Sequence, residues 1–185
     1  LFQKEIKELT AKQVDGIVYV TTHERVLKCF PKELNVPAVM AYGYTRSPKY
    51  PSIVVDDRKG AAEVIRYLFS MGHRRIGIVS GPVRSLHTRE RLLGVQDIFT
   101  EQGISFEKKC VVEGDWRRGS GYRGTDSLLE QKVTAIFCMS DIMAGGVYDR
   151  LGELGLIPGK DISVAGFDDR ELSTYYKPPL TTTAL

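Results

Sequence analysis

Acidic residues recur where apolar runs end. Asp56-Asp57 close the run 52–55, Ser140-Asp141 follow 135–139, and Asp168-Asp169 follow 162–167. A carboxylate accepts two strong hydrogen bonds, so acids in such places suit hydroxyl-rich small molecules. Asp56-Asp57 and Asp168-Asp169 would suit Mg²⁺ only if the two pairs converged. Arg84, Arg89 and Arg91 surround the loop after 76–79, and Asp115-Trp116-Arg117 lies in the loop after 109–112. An aromatic, a guanidinium and an acid at one sheet edge make a carbohydrate or small polar ring site. The aromatic covers the apolar ring face, and the charged groups fork onto hydroxyls. Arg117 and Arg118 read more simply as a solvated rim. Arg91, three residues before Gly94 near a helix start, reads as buried and functional.

Other chemistries have less support. Gly119-Ser120-Gly121-Tyr122-Arg123-Gly124 spells GxGxxG. A dinucleotide fingerprint needs those glycines directly after a strand. Here six residues separate them from Val112, so they read as a helix start with small residues. No GxxxxGK[ST] or GxSxG elbow occurs, so no catalytic residue is assigned. His23, His73 and His87 form no metal-ligand cluster with the cysteines, and His73 reads as a structural hydrogen-bonding residue. Cys110 and Cys138 lie in strand-like runs and read as small buried hydrophobes. Cys29 completes a set of three with no CxxC pair, which argues against a disulfide scaffold and for a reducing setting.

These residues need elements to hold them. Phe2, Ile6 and Leu9 share one face of a helix over 2–13. Ile17–Val20 reads as a short buried strand, 23–35 as irregular with a short helix at 24–30, Ala38–Ala41 as a strand, 42–51 as loop and 52–55 as a third strand. From Asp57 a helix runs to about Met71, stopped by Gly72. Strands at 76–79, 109–112, 135–139 and 162–167 then alternate with helices at 89–102, 120–131 and 142–154. The strand runs are apolar throughout, as in a parallel sheet covered on both faces. Sites on such sheets lie at the carboxyl ends of the strands.

Length and composition fit this picture. The chain has 185 residues, 42% of them hydrophobic, with 18 glycines and a formal charge of +3. That supports a globular α/β protein and gives no nucleic-acid tail or disordered segment. The basic run Gly72–Arg75 lacks aromatic interleaving and makes a poor nucleic-acid footprint. No stretch approaches a membrane span, and none reads as a signal peptide. The chain opens on Leu1-Phe2-Gln3 within a predicted helix and stops at Thr183-Ala184-Leu185, so it is expected to be a piece of a longer protein.

Several segments together carry a family likeness. They are Val14-Asp15-Gly16-Ile17, Gly72-His73-Arg74-Arg75-Ile76-Gly77, Arg91-Leu92-Leu93-Gly94, Ala135-Ile136-Phe137 with Ser140-Asp141 and Ala144-Gly145, Asp161 to Asp169 (DISVAGFDD), and Pro178 to Thr183 (PPLTTT). In this order the chain resembles the effector-binding region of LacI/GalR-type transcriptional regulators. The resemblance implies a type I periplasmic-binding-protein-like fold of two Rossmann-like lobes with parallel sheets, the first incomplete. Residues 1–55 would be the later part of the N-terminal lobe, 56–182 the C-terminal lobe, and 183–185 the start of a return to the first. The effector would lie in an interlobe cleft.

By the same resemblance, Arg91 and Asp168 would hydrogen-bond the effector and Trp116 would stack on it. Ser140 stands where the family commonly has Asn, and Ser85, Arg84 and Asp57 fall at cleft-lining positions. The effector would be a sugar, with a sugar phosphate or nucleobase behind it. No enzyme activity, metal or cofactor is implied. The partners implied are a second copy of the chain and operator DNA, the latter only through a helix-turn-helix domain absent here, in a cytoplasmic setting without membrane contact. A periplasmic sugar-binding protein of a transport system is the alternative on the same fold. A Rossmann-type enzyme, which would have to bind a nicotinamide, is a third class.

Overall fold

The computed structural model describes residues 2–27, 30–31, 33–45 and 47–184, with the side chains of 2, 3 and 22–26 left aside. Cys29 and the side chains of Phe2 and His23, all named above, lie outside the described set. The chain divides into two compact units, Leu1–Val55 and Asp56–Leu185.

The first unit holds α1 (Phe2–Ala11) and three parallel strands in the order β1 (Ile17–Leu27), β2 (Ala38–Thr45), β3 (Ser52–Ile53). Ile6 of α1 joins Ile17, Phe30, Ala38, Met40 and Tyr50 in one buried cluster, with Phe30 edge-on to Tyr50 at 5.0 Å. Three expectations change here. β1 runs on to Leu27 where irregular chain and a short helix at 24–30 were expected; residues 28 and 29 of that helix lie outside the described set. β2 continues to Thr45 instead of breaking into loop at Tyr42. The two extensions pair with each other, Arg25↔Gly43 to Leu27↔Thr45, beyond a register shift where Tyr42 takes φ 60°. Cross-strand pairing and side chains that suit a strand outweigh the local polar signal. The run 17–20 is also not buried throughout: Ile17 is buried, but Val18 and Val20 are exposed. Successive strand side chains point to opposite faces, and the α1 cluster covers only the face that Ile17 shares.

The second unit begins with α2 (Asp57–Ser70), capped by the Asp56 carboxylate, which accepts from the Lys59 amide at 3.1 Å. Its four parallel strands are ordered β5 (Val111–Glu113), β4 (Ile76–Ser80), β6 (Ala135–Cys138), β7 (Ser163–Ala165). Every residue of β4 and β6 is buried, as the unbroken apolar runs require of central strands. The connecting helices are α3 (Leu86–Glu101), α4 (Arg118–Glu130) and α5 (Asp141–Glu153). The crossovers put α3 with α2 on one face and α4 with α5 on the other.

The chain winds one way from β4 to β5 and the other way from β5 through β6 to β7. The carboxyl ends of β4 and β6 therefore form a topological switch point. Two helix contacts leave no room for a Cβ. One added at Gly94 would lie 2.0 Å from the Arg58 carbonyl oxygen of α2, and one at Gly121 1.9 Å from that of Met143 on α5. The GxGxxG letters thus contain a helix-packing glycine. Local corrections are small. α3 starts at Leu86, three residues earlier than expected, which shortens the loop after β4. Cys110 sits in a 3-10 turn (Lys108–Cys110) ahead of β5 and not in a strand.

Candidate functional site

The site grows from the strand ends at the switch point. Asp57, the first residue of α2, is 2% exposed. Its Oδ1 accepts from Arg91 Nε at 2.7 Å, and its Oδ2 lies 2.6 Å from His87 Nδ1. His87 and Arg91 are four residues apart on α3, so one helix face presents both to the same carboxylate. The starting point of α3 decides this: a helix opening at 89 would not have included His87.

Arg91 is 5% exposed, and its guanidinium is held on several sides. Nη1 donates to the Met139 carbonyl just beyond β6. The guanidinium carbon stands 3.6 Å over the Phe167 ring and 5.6 Å from that of Trp116. Asp168 Oδ1 lies 3.6 Å from Nη1, and Asp168 Oδ2 lies 3.5 Å from Arg170 Nε. Both distances exceed a hydrogen bond, so the Asp168 oxygens keep capacity to accept. Burial pushes the Asp168 carboxyl above the ordinary range, against the pull of Arg91.

Asp168 and Asp169 both have positive φ, 109° and 51°. A non-glycine backbone in that region is strained and persists only where its surroundings over-determine it. Asp141 supplies much of that constraint. It is fully buried; its Oδ1 accepts from the Thr182 hydroxyl at 2.6 Å and its Oδ2 from the Arg170 amide at 2.8 Å. The Asp168 amide donates to the Thr183 carbonyl at 3.0 Å. Desolvation raises the Asp141 carboxyl above its usual value, and the Thr182 hydrogen bond opposes that rise.

Trp116, half-buried with φ 65°, projects from the loop after β5 over Gly81. A Cβ on Gly81 would meet the indole at 2.1 Å and the Thr88 hydroxyl at 2.5 Å. Gly81 is therefore the seat of the ring. Thr88 is 1% exposed, and its hydroxyl has no hydrogen-bond partner among the described residues.

Of the residues singled out from sequence, Asp57, Arg91, Trp116 and Asp168 come together at one rim. Ser140 is buried there too, but its hydroxyl accepts from the Met143 amide at 3.3 Å and caps α5. Ser85 is half-buried at the N-cap position of α3 without making a side-chain cap, and Arg84 is exposed. Asp56 is occupied as a helix cap and Asp57 by Arg91 and His87, so these two do not form an open cation site. No group of three metal-binding side chains occurs among the described residues. Arg117 is an exposed rim residue, whereas Arg118 forks onto Asp149 at 2.6 Å and lies over Tyr176, joining α4 to α5. His73 pairs with the Thr134 hydroxyl at 2.9 Å. Sequence reasoning gave no role to His87, Phe167 or Thr88. The i, i+4 spacing of His87 and Arg91 is the one signal that could have drawn attention to His87.

Comparison with known proteins agrees with this fold. The family described as "Periplasmic binding protein-like domain" matches residues 65–185. The HTH-type transcriptional repressor PurR of Aliivibrio fischeri (strain MJ11) is 30% identical over 183 residues, covering 96% of this chain and 54% of the repressor. The chain thus spans about half the length of the curated relatives it matches. A putative LacI-family transcriptional regulator from Rhizobium etli superposes with a TM-score of 0.85 at 30% identity, over 98% of this chain and 68% of that one. The lac repressor dimer bound to operator and the anti-inducer ONPF superposes with a TM-score of 0.76 at 30% identity, over 98% and 64%.

Proposed function

Because the chain belongs to the family of periplasmic-binding-protein-like domains and is homologous to LacI/GalR-type regulators, we propose that it is the effector-binding and dimerisation region of a transcriptional regulator. Its ligand is a small sugar-like molecule, which binds at the strand-end rim of the second unit. One observation carries the reading. The buried guanidinium of Arg91, fixed by Asp57, stands beside a carboxylate with accepting capacity to spare, and an indole is seated at the same rim. Asp168 and Arg91 take the ligand hydroxyls, and Trp116 takes its apolar ring face. Ser85 and Arg84 line the outer rim. Ser140 acts from behind, by fixing α5.

Binding would act on DNA by population shift: the ligand favours one arrangement of the dimer and so changes operator affinity. Reading two half-sites requires two-fold symmetry, so the working unit is a homodimer. Operator contacts would come from a helix-turn-helix domain outside these residues, and the setting would be cytoplasmic. The role is recognition without catalysis. No helix among the described residues is long and apolar enough to cross a membrane.

The test is a thermal-shift screen of mono- and disaccharides, followed by calorimetry on the chain and on Asp168→Asn. Losing one or two charge-assisted hydrogen bonds should weaken binding about 10- to 100-fold while circular dichroism stays unchanged. Equal affinity in the variant would remove Asp168 from the site.

A further inference from the structure

A rim built around Arg91 leaves the ligand's charge open. We infer that Asp57 decides it: by cancelling the Arg91 charge, Asp57 makes the rim select an uncharged, hydroxyl-rich ligand over its phosphate esters. The inference rests on the rim being the ligand site.

A phosphate group needs donors that are not already spent and a net positive surrounding. Arg91 offers little of either. Nε is used by Asp57 at 2.7 Å, Nη1 by the Met139 carbonyl, and one face of the guanidinium by Phe167 at 3.6 Å. The two N–H groups of Nη2 have no partner among the described residues, and the second N–H of Nη1 lies beside the Asp168 carboxylate, so the open edge of the guanidinium is shared with a negative charge. Asp57 is 2% exposed, so water does not screen its charge from Arg91.

The other charged groups at this pair do not restore a positive site. Asp168 adds a negative charge 3.6 Å from Arg91, and half-exposed Arg170 balances it at 3.5 Å. Asp169, exposed and next in the chain, adds another negative charge. His87 Nδ1 lies 2.6 Å from Asp57 Oδ2, so it too is engaged by that carboxylate. Arg84 is exposed, where water and salt weaken a single charge.

What the rim does present suits hydroxyls. The Asp168 oxygens, loosely paired, need donors. A sugar hydroxyl donates to them, whereas a phosphate dianion has no proton to donate and is repelled.

The experiment measures matched pairs by calorimetry: glucose and glucose 6-phosphate, fructose and fructose 1-phosphate, ribose and ribose 5-phosphate. Inorganic phosphate is the further probe, and each is titrated into the chain and into Asp57→Asn. In the unsubstituted chain at least one free sugar should bind about 10-fold or more tighter than its ester, and inorganic phosphate should give no heat. Asp57→Asn should shift that ratio about 10-fold or more toward the ester and make phosphate binding detectable. An ester bound more tightly than its parent sugar by the unsubstituted chain overturns the inference and leaves the site standing, and so does a ratio that Asp57→Asn does not move. If no member of the panel binds, the sugar-site reading itself falls, and the inference with it. Should Asp57→Asn fail to fold by circular dichroism, the paired measurement on the unsubstituted chain decides alone.

Discussion

Replacing Arg91 by Met separates what the buried cation does for the fold from what it does for the ligand. Methionine keeps much of the side-chain length and packs well against Phe167, but it removes the charge. Asp57, 1% exposed at its side chain, then keeps only His87. Stranding one member of a buried ion pair costs about 3–5 kcal/mol. The lost stacking on Phe167 and the unpaired Met139 carbonyl fall within the same range once Met restores apolar contact. For a chain of this size, that loss lowers Tm by roughly 6–20 °C. The assay is urea unfolding of the chain, Asp57→Asn, Arg91→Met and the double variant. If the stranded charge dominates, Arg91→Met should cost about 2 kcal/mol or more less in the Asp57→Asn background than alone. A coupling below about 0.5 kcal/mol would refute the claim that Asp57 is held chiefly by Arg91.

Helix packing gives a pair of opposite outcomes. Gly121→Ala drives a methyl into the Met143 carbonyl and should destabilise by about 1–3 kcal/mol or more. Gly152→Ala, with nothing within 4 Å, should stabilise by up to about 1 kcal/mol through helix propensity; both are read from denaturant midpoints. Burial raises the thiol values of Cys110 and Cys138, so neither should alkylate at pH 8 until the chain unfolds, as read by mass spectrometry. Fast native labelling at either would contradict its burial. Asp168 accepts charge-assisted hydrogen bonds from hydroxyls only when ionised, and its carboxyl sits above the ordinary range. Affinity for a bound sugar should therefore be full above that raised value and fall as pH drops through it, earlier than an exposed aspartate would allow. Calorimetry across pH 4–7 checks this, and a flat profile would exclude Asp168 as the acceptor.

Sequence alone determined the architecture of the second unit and the positions of the rim residues. Unbroken apolar runs such as Ile76–Val79 and Ala135–Cys138, alternating with helical segments, suit a parallel sheet covered on both faces, and such a sheet gathers its strand-end residues at one edge. Asp57, Trp116 and Asp168 were legible as strand-end and loop residues for that reason, whereas the part of Arg91 came with the family resemblance. The first unit was less legible. Residues 21–27 and 42–45 become strand through pairing with each other, and local patterning does not carry a partner's identity.

Tertiary structure decided which of the acids are already paired. On sequence, Asp57, Asp141 and Asp168 are equivalent strand-end carboxylates. In the fold, Asp57 is spent on Arg91 and His87, Asp141 on Thr182 and the Arg170 amide, and only Asp168 keeps free acceptor capacity. The physical reason is that a carboxylate's role is set by the donors within about 3 Å of it, and those donors arrive from segments far apart in the chain.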